Sequence, residues 1–383
     1  MAKGQVAVLD ISSSKITCMI AEPGVNHTFN IKGSGEVEYA GFKDGKFLEP
    51  EKVKQVIALA ISNATSMAHV AVHELYVGVP AEFSAVNCRE VNINFSKRKR
   101  ITSAEINQLY YVGNVFRNNP THSVINISPI YYTLDDSRRI IDPRGIATSK
   151  LGGFLSYVLA ENNFLDFIEG IVKELGIRRV EFVSVPLAEC LFLFEPEVRD
   201  RYALLVDCGH ICTSVLLTRG DGLLFLNSFS VAGGHISGDL ANVLRISFNE
   251  AESLKRKVVL SLNATDSDYY EVSGKDFIVP FPAKVTNEIV MARLDMIADL
   301  ISKCYARCEY DFPDYIPLYV TGGGIATIRG AKDYLQKRIG RKVEIIAPSL
   351  PQLARPTLSS TFSLLDLAFK ESSSTTNVNF GNR

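Results

Sequence analysis

The 383-residue chain contains the same short pattern twice: an apolar run ends at an aspartate, a turn of small or polar residues follows, and a second apolar run begins. The first copy reaches Asp10 and resumes at Lys15, and the second reaches Asp207 and resumes at Ser214. Aliphatic, β-branched runs bounded by turn residues are typical of strands. The repetition predicts two related halves, each opening with a hairpin that carries an aspartate into its turn.

The charge of the chain is balanced, with 41 Lys and Arg against 42 Asp and Glu. Proteins that bind nucleic acid or anionic membranes through their overall charge carry a basic excess, so we expect no nucleic-acid partner. No apolar run approaches the roughly 20 residues that cross a bilayer. The seven cysteines have no disulfide-like spacing, which favours reduced thiols in the cytoplasm.

Helices and strands alternate along most of the chain, which predicts the α/β class. Apolar residues recur at helical spacing over residues 51–67 and 163–175, and a further helix is predicted over 327–339. The stretch 287–310 is long enough for one long helix or two. Between residues 83 and 157 the pattern changes to alternating strands around one helix, whose start carries a capping box of Thr102 and Glu105. This region predicts a small inserted α+β subdomain.

The two turns are candidates for a phosphate clamp. Tight turns of small residues direct backbone N–H groups at phosphate oxygens, and an aspartate at each turn can hold Mg²⁺ through water. Either hairpin taken alone is also typical of an ordinary surface turn. The candidate residues are Asp10, Ser12, Ser13, Ser14 and Lys15 in the first turn, and Asp207, Gly209 and Thr213 in the second.

Two further elements carry possible ligand contacts. Gly322, Gly323 and Gly324 lie between a predicted strand and a predicted helix, where a ligand can approach the backbone and the helix N-terminus favours phosphate. The alternative is close packing of the strand on the helix. Glu252 and Lys255 share one face of a capped helix, for which the alternative is a solvated ion pair.

These elements, in this order, resemble the actin-like ATPase fold shared by actin, sugar kinases and DnaK-type chaperones. The closer resemblance is to the bacterial cell-division protein FtsA family, and it extends to about residue 369. It is carried by LYVGVP at 75–80, VINISPIYY at 124–132, the pair Gly233 and Gly234 followed by AESLK at 251–255, and VTGGGIATIRG at 320–330.

The resemblance implies a two-domain actin-like ATPase fold with a nucleotide cleft and an inserted subdomain 1C. Subdomain 1A would comprise residues 1–82 and 158–199, joined by a returning helix at 361–370, and subdomain 1C residues 83–157. Subdomain 2A would comprise 200–234 and 307–360, and subdomain 2B 235–306. The polar stretch 371–383 is predicted to be a disordered tail.

The resemblance also implies ATP and Mg²⁺ as ligands. Asp10 and Asp207 would surround the metal, the two turns would hold the β- and γ-phosphates, and residues 322–324 would meet the α-phosphate and adenosine. Glu252 and Lys255 would lie beside the ribose and adenine, with Gly233 and Gly234 completing the cleft.

The sequence departs from the family pattern at the turns that would hold phosphate. Ser12 replaces a glycine of the first turn, His210 and Ile211 replace two glycines of the second, and Ser214 replaces an acidic residue. Side chains at these positions can obstruct phosphates, although His210 could instead donate a hydrogen bond to one. We therefore expect at most weak ATP hydrolysis.

The resemblance implies a cytoskeletal adaptor that polymerises head to tail and links the C-terminal tail of FtsZ to the division septum. Arg293 matches an arginine of the family on the long helix of subdomain 2B, where it would pair with acidic residues of that tail. The alternative is an ordinary exposed arginine.

The stretch 371–383 has no basic amphipathic pattern, so we expect no direct membrane binding and suggest that membrane-anchored division proteins supply the attachment. One alternative function is a PilM-like assembly adaptor of a pilus or secretion system. A small-molecule kinase is favoured least, since no obvious catalytic base lies beside the second turn.

Overall fold

The computed structural model describes residues 4–25, 28–273, 278–350 and 353–373. Its first half is built on a five-stranded sheet. The elements begin with β1 (Val6–Ile11), β2 (Lys15–Pro23), β3 (Phe29–Glu38), β4 (Phe42–Lys43), β5 (Lys46–Phe47), α1 (Pro50–Ala68) and β6 (Glu74–Val79).

An inserted four-stranded antiparallel sheet follows, with the order β7-β10-β8-β9. Helix α2 packs on one face of it, and the other face contacts the second half, where the Ser156 hydroxyl donates to the Leu223 carbonyl over 2.6 Å. Its elements are β7 (Ser84–Arg100), α2 (Ser103–Gly113), β8 (His122–Thr133), β9 (Arg139–Ile140) and β10 (Ala147–Glu161). The predicted capping box of Thr102 and Glu105 is confirmed.

The chain then returns to the first half and completes its sheet in the order β11-β6-β1-β2-β3. The returning elements are α3 (Asn162–Glu174), β11 (Arg179–Ser184), α4 (Val185–Leu193) and α5 (Pro196–Arg199). Helices α1 and α3 bury their apolar residues against one face of this sheet, and α4 packs on the opposite face.

The second half repeats the arrangement of the first, as the repeated pattern predicts. Its sheet order is β14-β13-β12-β17-β18, so each half has a central strand between a hairpin partner and a parallel neighbour. Its elements are β12 (Ala203–Cys208), β13 (Thr213–Arg219), β14 (Gly222–Phe229), α6 (Gly233–Leu244), α7 (Phe248–Lys255), β15 (Tyr269–Ser273), β16 (Ile278–Pro282), α8 (Ala283–Tyr305), β17 (Leu318–Thr321), α9 (Ala331–Ile339) and β18 (Val343–Ile345).

The last helix, α10 (Ser359–Ser373), crosses back to the first half and packs beside α4. It extends three residues beyond the predicted end at residue 370, and the remainder of the predicted tail, 374–383, lies outside the described residues. Among the helices that the structure describes, none combines the length and the apolar character needed to cross a bilayer.

Two predicted helix boundaries are wrong. The helix predicted over 327–339 begins at Ala331, because Gly330 takes a left-handed conformation with φ of 85° and residue 329 bridges to residue 259. The stretch 287–310, predicted as one long helix or two, forms one helix that instead spans Ala283–Tyr305. The first of these shifts matters for the candidate site, since it moves a helix N-terminus away from the three glycines.

Candidate functional site

The two aspartates lie at the ends of the central strands, where the halves meet. Asp10 is 2% exposed, and its Oδ2 accepts hydrogen bonds from Ser360 Oγ at 2.7 Å and Thr361 Oγ1 at 2.6 Å. Burial raises the pKa of the Asp10 carboxyl, and the two hydroxyl donors partly offset this rise. The sequence analysis did not predict these contacts from Ser360 and Thr361. The predicted return of the last helix to the first half was the signal that could have indicated them.

Asp207 has a different environment. A Cβ added to Gly322 would lie 2.3 Å from Asp207 Oδ1, so this carboxylate lies directly against the glycine backbone. Gly322 also has a φ of +84°, a conformation that glycine adopts without strain. Burial raises the pKa of Asp207, and the negative charges of Glu82 and Asp10 raise it further.

A third carboxylate, Glu189 on α4, lies near both aspartates. It is 1% exposed, and within the described residues its Oε1 has no hydrogen-bond partner. Burial together with the charges of Asp207 and Asp10 raises the pKa of Glu189 well above its usual value. Sequence reasoning missed this residue. The signal for it was a single acidic residue within the apolar segment VPLAECLFLF.

These carboxylates bear on the predicted metal site. Across the described parts of the chain, no three His, Cys, Asp or Glu side chains are grouped closely enough to hold a metal ion. A pair of carboxylates can still hold Mg²⁺ through its water shell, because this ion takes few protein ligands. The assignment of Mg²⁺ to Asp10 and Asp207 therefore stays a prediction.

The first turn is closed by its own backbone. The Ser12 N–H donates to the Lys15 carbonyl at 3.0 Å, and Tyr39 donates to the carbonyls of Ser12 and Ser14. Lys15 forms an ion pair with Glu36 at 2.6 Å. This ammonium is therefore engaged on the neighbouring strand.

The second turn is closed in the same way. The Gly209 N–H donates to the Cys212 carbonyl at 2.9 Å, and Thr213 Oγ1 donates to the Val231 carbonyl at 2.8 Å. The turn is also bonded to the start of α6, because Gly233 N–H donates to Gly209 O and Gly234 N–H donates to His210 O.

The substituted turn residues do not strain the backbone. Among the described residues, the non-glycine positions with positive φ do not include Ser12, His210 or Ile211. The loss of the family's glycines is thus accommodated without left-handed conformations. Burial lowers the pKa of His210, and the nearby charge of Lys255 lowers it further, which favours a neutral imidazole.

The glycine at the start of α6 packs against the glycines that follow β17. A Cβ on Gly233 would lie 2.2 Å from Gly324 Cα, and the Gly324 N–H donates to the Cys208 carbonyl at 2.8 Å. A Cβ on Gly323 would lie 3.0 Å from Thr357 Cγ2. These contacts match the close-packing alternative. The predicted helix N-terminus does not follow the glycines, since α9 begins only at Ala331.

Glu252 and Lys255 form an ion pair in which the lysine is buried and the glutamate is partly exposed, so the solvated alternative is wrong. Lys255 is 2% exposed, and its Nζ donates to Glu252 Oε2 at 2.8 Å and to Gly233 O at 3.0 Å. Ser237 Oγ also donates to Glu252 at 2.5 Å. Burial raises the pKa of Glu252, but Lys255 and the hydrogen bonds outweigh it and leave the pKa below its ordinary value.

Arg293 lies away from Asp10, Asp207 and Glu189. It lines a cavity of about 370 Å³ between the halves. Its guanidinium forms a two-point ion pair with Asp239 on α6, at 2.6 and 2.7 Å. The cavity is also lined by Lys43 and Leu48 of the first half and by His235 of the second. The structure thus places Arg293 as a link between α6 and α8, and its predicted role in partner binding stays a prediction.

Two similar halves around a cleft, with carboxylates at the ends of the central strands, define the class of actin-like ATPase folds. The solved "PilM-PilN type IV pilus biogenesis complex" aligns with a TM-score of 0.61 at 16% identity, covering 95% of this chain and 98% of that chain. MreB5 of Spiroplasma citri bound to AMPPNP aligns with a TM-score of 0.56 at 12% identity, covering 97% and 98%.

Sequence comparison then identifies the family. The model for cell division protein FtsA matches residues 204–363, and the model for the SHS2 domain inserted in FtsA matches residues 82–159. The chain is 25% identical over 373 residues to cell division protein FtsA of Enterococcus hirae, covering 96% of this chain and 84% of that protein. For FtsA of Rhizobium meliloti the identity is 24% over 382 residues, covering 94% and 86%.

The chain belongs to the cell division protein FtsA family. The family models together match more than half of it, and the resemblance expected from the sequence is confirmed. Family membership indicates nucleotide binding in general terms.

Proposed function

We propose that this protein is a cell-division adaptor of the FtsA kind, which assembles with copies of itself and links the C-terminal tail of FtsZ to the division septum. The observation that carries the proposal is the match of residues 82–159 to the SHS2 domain inserted in FtsA, within a chain that is similar to FtsA over nearly its whole length. We place it in the cytoplasm at the inner face of the membrane, with membrane-anchored division proteins as further partners.

The proposed FtsZ-binding surface is formed by α6 and α8. Arg293 and Asp239 lie at its centre, and Val243 on α6 and Met296 on α8 are 59% and 47% exposed. Arg293 also contacts the sulfur of Met296 through Nη1 at 3.1 Å. Apolar side chains around a guanidinium suit a peptide that has both apolar and acidic residues.

The nucleotide we propose is ATP with Mg²⁺, with weak or absent hydrolysis. Support comes from the fold and the family. The two turns do not fit a triphosphate in the arrangement seen, because Ser13 Oγ accepts from the Ile211 N–H at 3.1 Å and the Gly209 N–H is also bonded within the protein. This arrangement is consistent with weak turnover, and the proposal assigns no hydrolytic role to these residues.

The proposal is tested by binding of a labelled FtsZ C-terminal tail peptide, followed by fluorescence anisotropy. We expect the wild type to bind, and Arg293→Glu to weaken binding at least ~10-fold because it removes a charge-assisted contact. Arg338→Glu on α9 is the matched control, since this arginine is also partly exposed and paired with aspartates. A wild type that does not bind the peptide contradicts the proposal.

Arg293→Glu also breaks the pair with Asp239, so a second variant separates binding from folding. The exchange Asp239→Arg with Arg293→Asp keeps an ion pair between α6 and α8 but reverses its direction. We expect the exchange to retain the wild-type melting temperature and to lose peptide binding. Unchanged peptide affinity in the exchanged protein contradicts the assignment of Arg293.

A PilM-like assembly adaptor is the second candidate, and the observation in its favour is the TM-score of 0.61 to the PilM–PilN complex. The same anisotropy assay with a PilN-type N-terminal peptide distinguishes the two. Binding of that peptide, without binding of the FtsZ tail, favours the second candidate.

A further inference from the structure

The turn between β12 and β13 belongs to the second half, yet its apolar side chains enter the core of the first half. Cys212 is 6% exposed and is part of the cluster formed by β1, β2, α1 and their neighbours, including Leu9 and Phe42. Ile211 packs against the same cluster. Both residues lie in the second turn, where the family pattern has small residues that would bind phosphate.

Polar contacts fix the same junction. The Ile211 N–H donates to Ser13 Oγ at 3.1 Å, which joins the two candidate phosphate turns directly. Cys212 Sγ lies 3.7 Å from the Phe42 carbonyl. Nearby, the Asp44 N–H donates to Ser230 Oγ at 3.0 Å, so the β4–β5 turn is also bonded to the second half.

The first half is shaped to receive this turn. A Cβ on Gly41 would lie 2.0 Å from the Ser13 carbonyl oxygen and 3.0 Å from Ile211 Cδ1, and Gly41 has a φ of +83°. Any other residue at this position would be strained and would displace either the first turn or Ile211. The fit between the halves is therefore close-packed on both sides.

Backbone donors that a phosphate would need are already bonded to other groups of the protein. A phosphate-binding turn presents N–H groups to the ligand. Here the N–H groups of Gly209 and Ile211 are bonded within the protein, as are those of Gly233 and Gly234 at the start of α6. Of these four bonds, the one from the Ile211 N–H to Ser13 Oγ crosses between the halves, and it makes the kind of contact that a bound phosphate makes when it bridges two such turns.

We infer that Ile211 and Cys212 form a clasp that holds the two halves closed in the absence of nucleotide. The clasp explains how the chain tolerates the loss of its turn glycines: the substituted side chains replace ligand-mediated closure with apolar packing. The inference goes beyond the proposed function, because it concerns closure of the cleft and holds whichever peptide binds on α6 and α8.

The test is small-angle X-ray scattering of the full chain with and without millimolar ATP and Mg²⁺. We expect the wild type to have the same radius of gyration in both conditions. A wild type that is expanded without nucleotide, or that contracts when ATP is added, overturns the inference.

The double variant Ile211→Gly with Cys212→Gly removes the clasp and restores small residues to the turn. We expect it to expand without nucleotide, and an unchanged radius of gyration overturns the inference. Ile141→Gly is the matched control, because Ile141 is 68% exposed in the inserted domain and its loss should leave scattering unchanged.

Two further measurements separate unfolding of the variant and failure of the proposed function from failure of this inference. If circular dichroism shows that the double variant is unfolded, the wild-type comparison decides alone. Binding of the FtsZ tail peptide is measured on the same samples. A wild type that opens without nucleotide but binds the peptide rejects this inference and leaves the proposed function standing, and the reverse outcome rejects the proposed function only.

Discussion

The first and second turns of this protein share a backbone plan and differ in what their side chains do. In each, an aspartate ends the central strand and pairs with a hydroxyl residue across the hairpin, Asp10 with Thr17 and Asp207 with Ser214. The first turn holds small serines. The second holds Ile211 and Cys212, which enter the core of the other half. One hairpin plan thus accommodates either small polar side chains or apolar side chains that pack in the other half, depending on two or three residues.

The two aspartates also differ in the groups that hold their carboxylates in place. Asp10 is held by two hydroxyl donors from α10, whereas Asp207 lies against the Gly322 backbone with the charges of Glu82 and Asp10 around it. The first carboxylate is fixed by hydrogen bonds from a distant helix. The second is fixed by close packing, which leaves it more sensitive to neighbouring negative charge.

The strongest test of the comparison places a charge in each turn. Cys212→Asp buries an unpaired carboxylate in the core of the first half and should lower the free energy of unfolding by ~3 kcal/mol or more. Ser14→Asp in the half-buried first turn should cost well under ~1 kcal/mol. Urea denaturation followed by circular dichroism measures both. Equal costs in the two turns would show that they do not differ in packing.

The second test removes a donor to Asp10. Thr361→Val should cost about 1–3 kcal/mol, because it removes one of the two hydroxyl donors to a buried carboxylate. The hydroxyl donors lower the folded-state pKa of Asp10 relative to burial alone. Removing one of them raises that pKa, so the folded state binds its proton more tightly and the cost should grow as pH rises from 5 to 8.

The control for this test is Ser363→Ala. Ser363 is also buried on α10, but its hydroxyl donates to the Ser359 carbonyl of the same helix. Its loss should have a cost that does not change with pH. If Thr361→Val is equally independent of pH, Asp10 does not titrate in the way proposed.

The third test concerns Glu189, the buried carboxylate near Asp10 and Asp207. Its folded-state pKa is raised, so ionisation at pH 8 opposes folding, and stability from this group is lost as pH rises through that pKa. Glu189→Gln should therefore raise the melting temperature at pH 8 by a few degrees, and the gain should shrink towards pH 5. Differential scanning fluorimetry across this pH range measures it.

Glu169→Gln on α3 serves as the comparison for Glu189. Glu169 is partly exposed and forms an ion pair with Lys173, so its replacement should be neutral or slightly destabilising at pH 8. A melting temperature for Glu189→Gln that does not exceed the wild type at pH 8 argues that this carboxylate has a partner or an ion in solution.

The sequence predicted the features that depend on local patterns. Both hairpins, the positions of Asp10 and Asp207, and the capped helix of the inserted region follow from strand periodicity and capping residues. The pair of Glu252 and Lys255 was predicted from its spacing. The burial of Lys255 was not predicted, because it depends on how α7 packs on α6.

The remaining features depend on contacts between distant parts of the chain. Thr361 meets Asp10 across 351 positions, and Ile211 meets Ser13 across 198. No local pattern contains such pairs. The start of α9 was missed for a related reason: Gly330 is left-handed and its neighbour bridges to residue 259, so the helical periodicity that begins earlier is not realised as helix.

The smallest expected effect comes from restoring a glycine to the first turn. Ser12 has no positive φ, so Ser12→Gly gains no conformational freedom that the fold needs, and it should cost about 0.5–1 kcal/mol through the greater entropy of the unfolded chain. It should also leave ATP binding, measured by isothermal titration, at the wild-type level. The clasp lies in the other turn, so only the substitutions at Ile211 and Cys212 should change the response to nucleotide. A gain of ATP affinity from Ser12→Gly alone would show that the side chain obstructing phosphate lies in the first turn and not in the second.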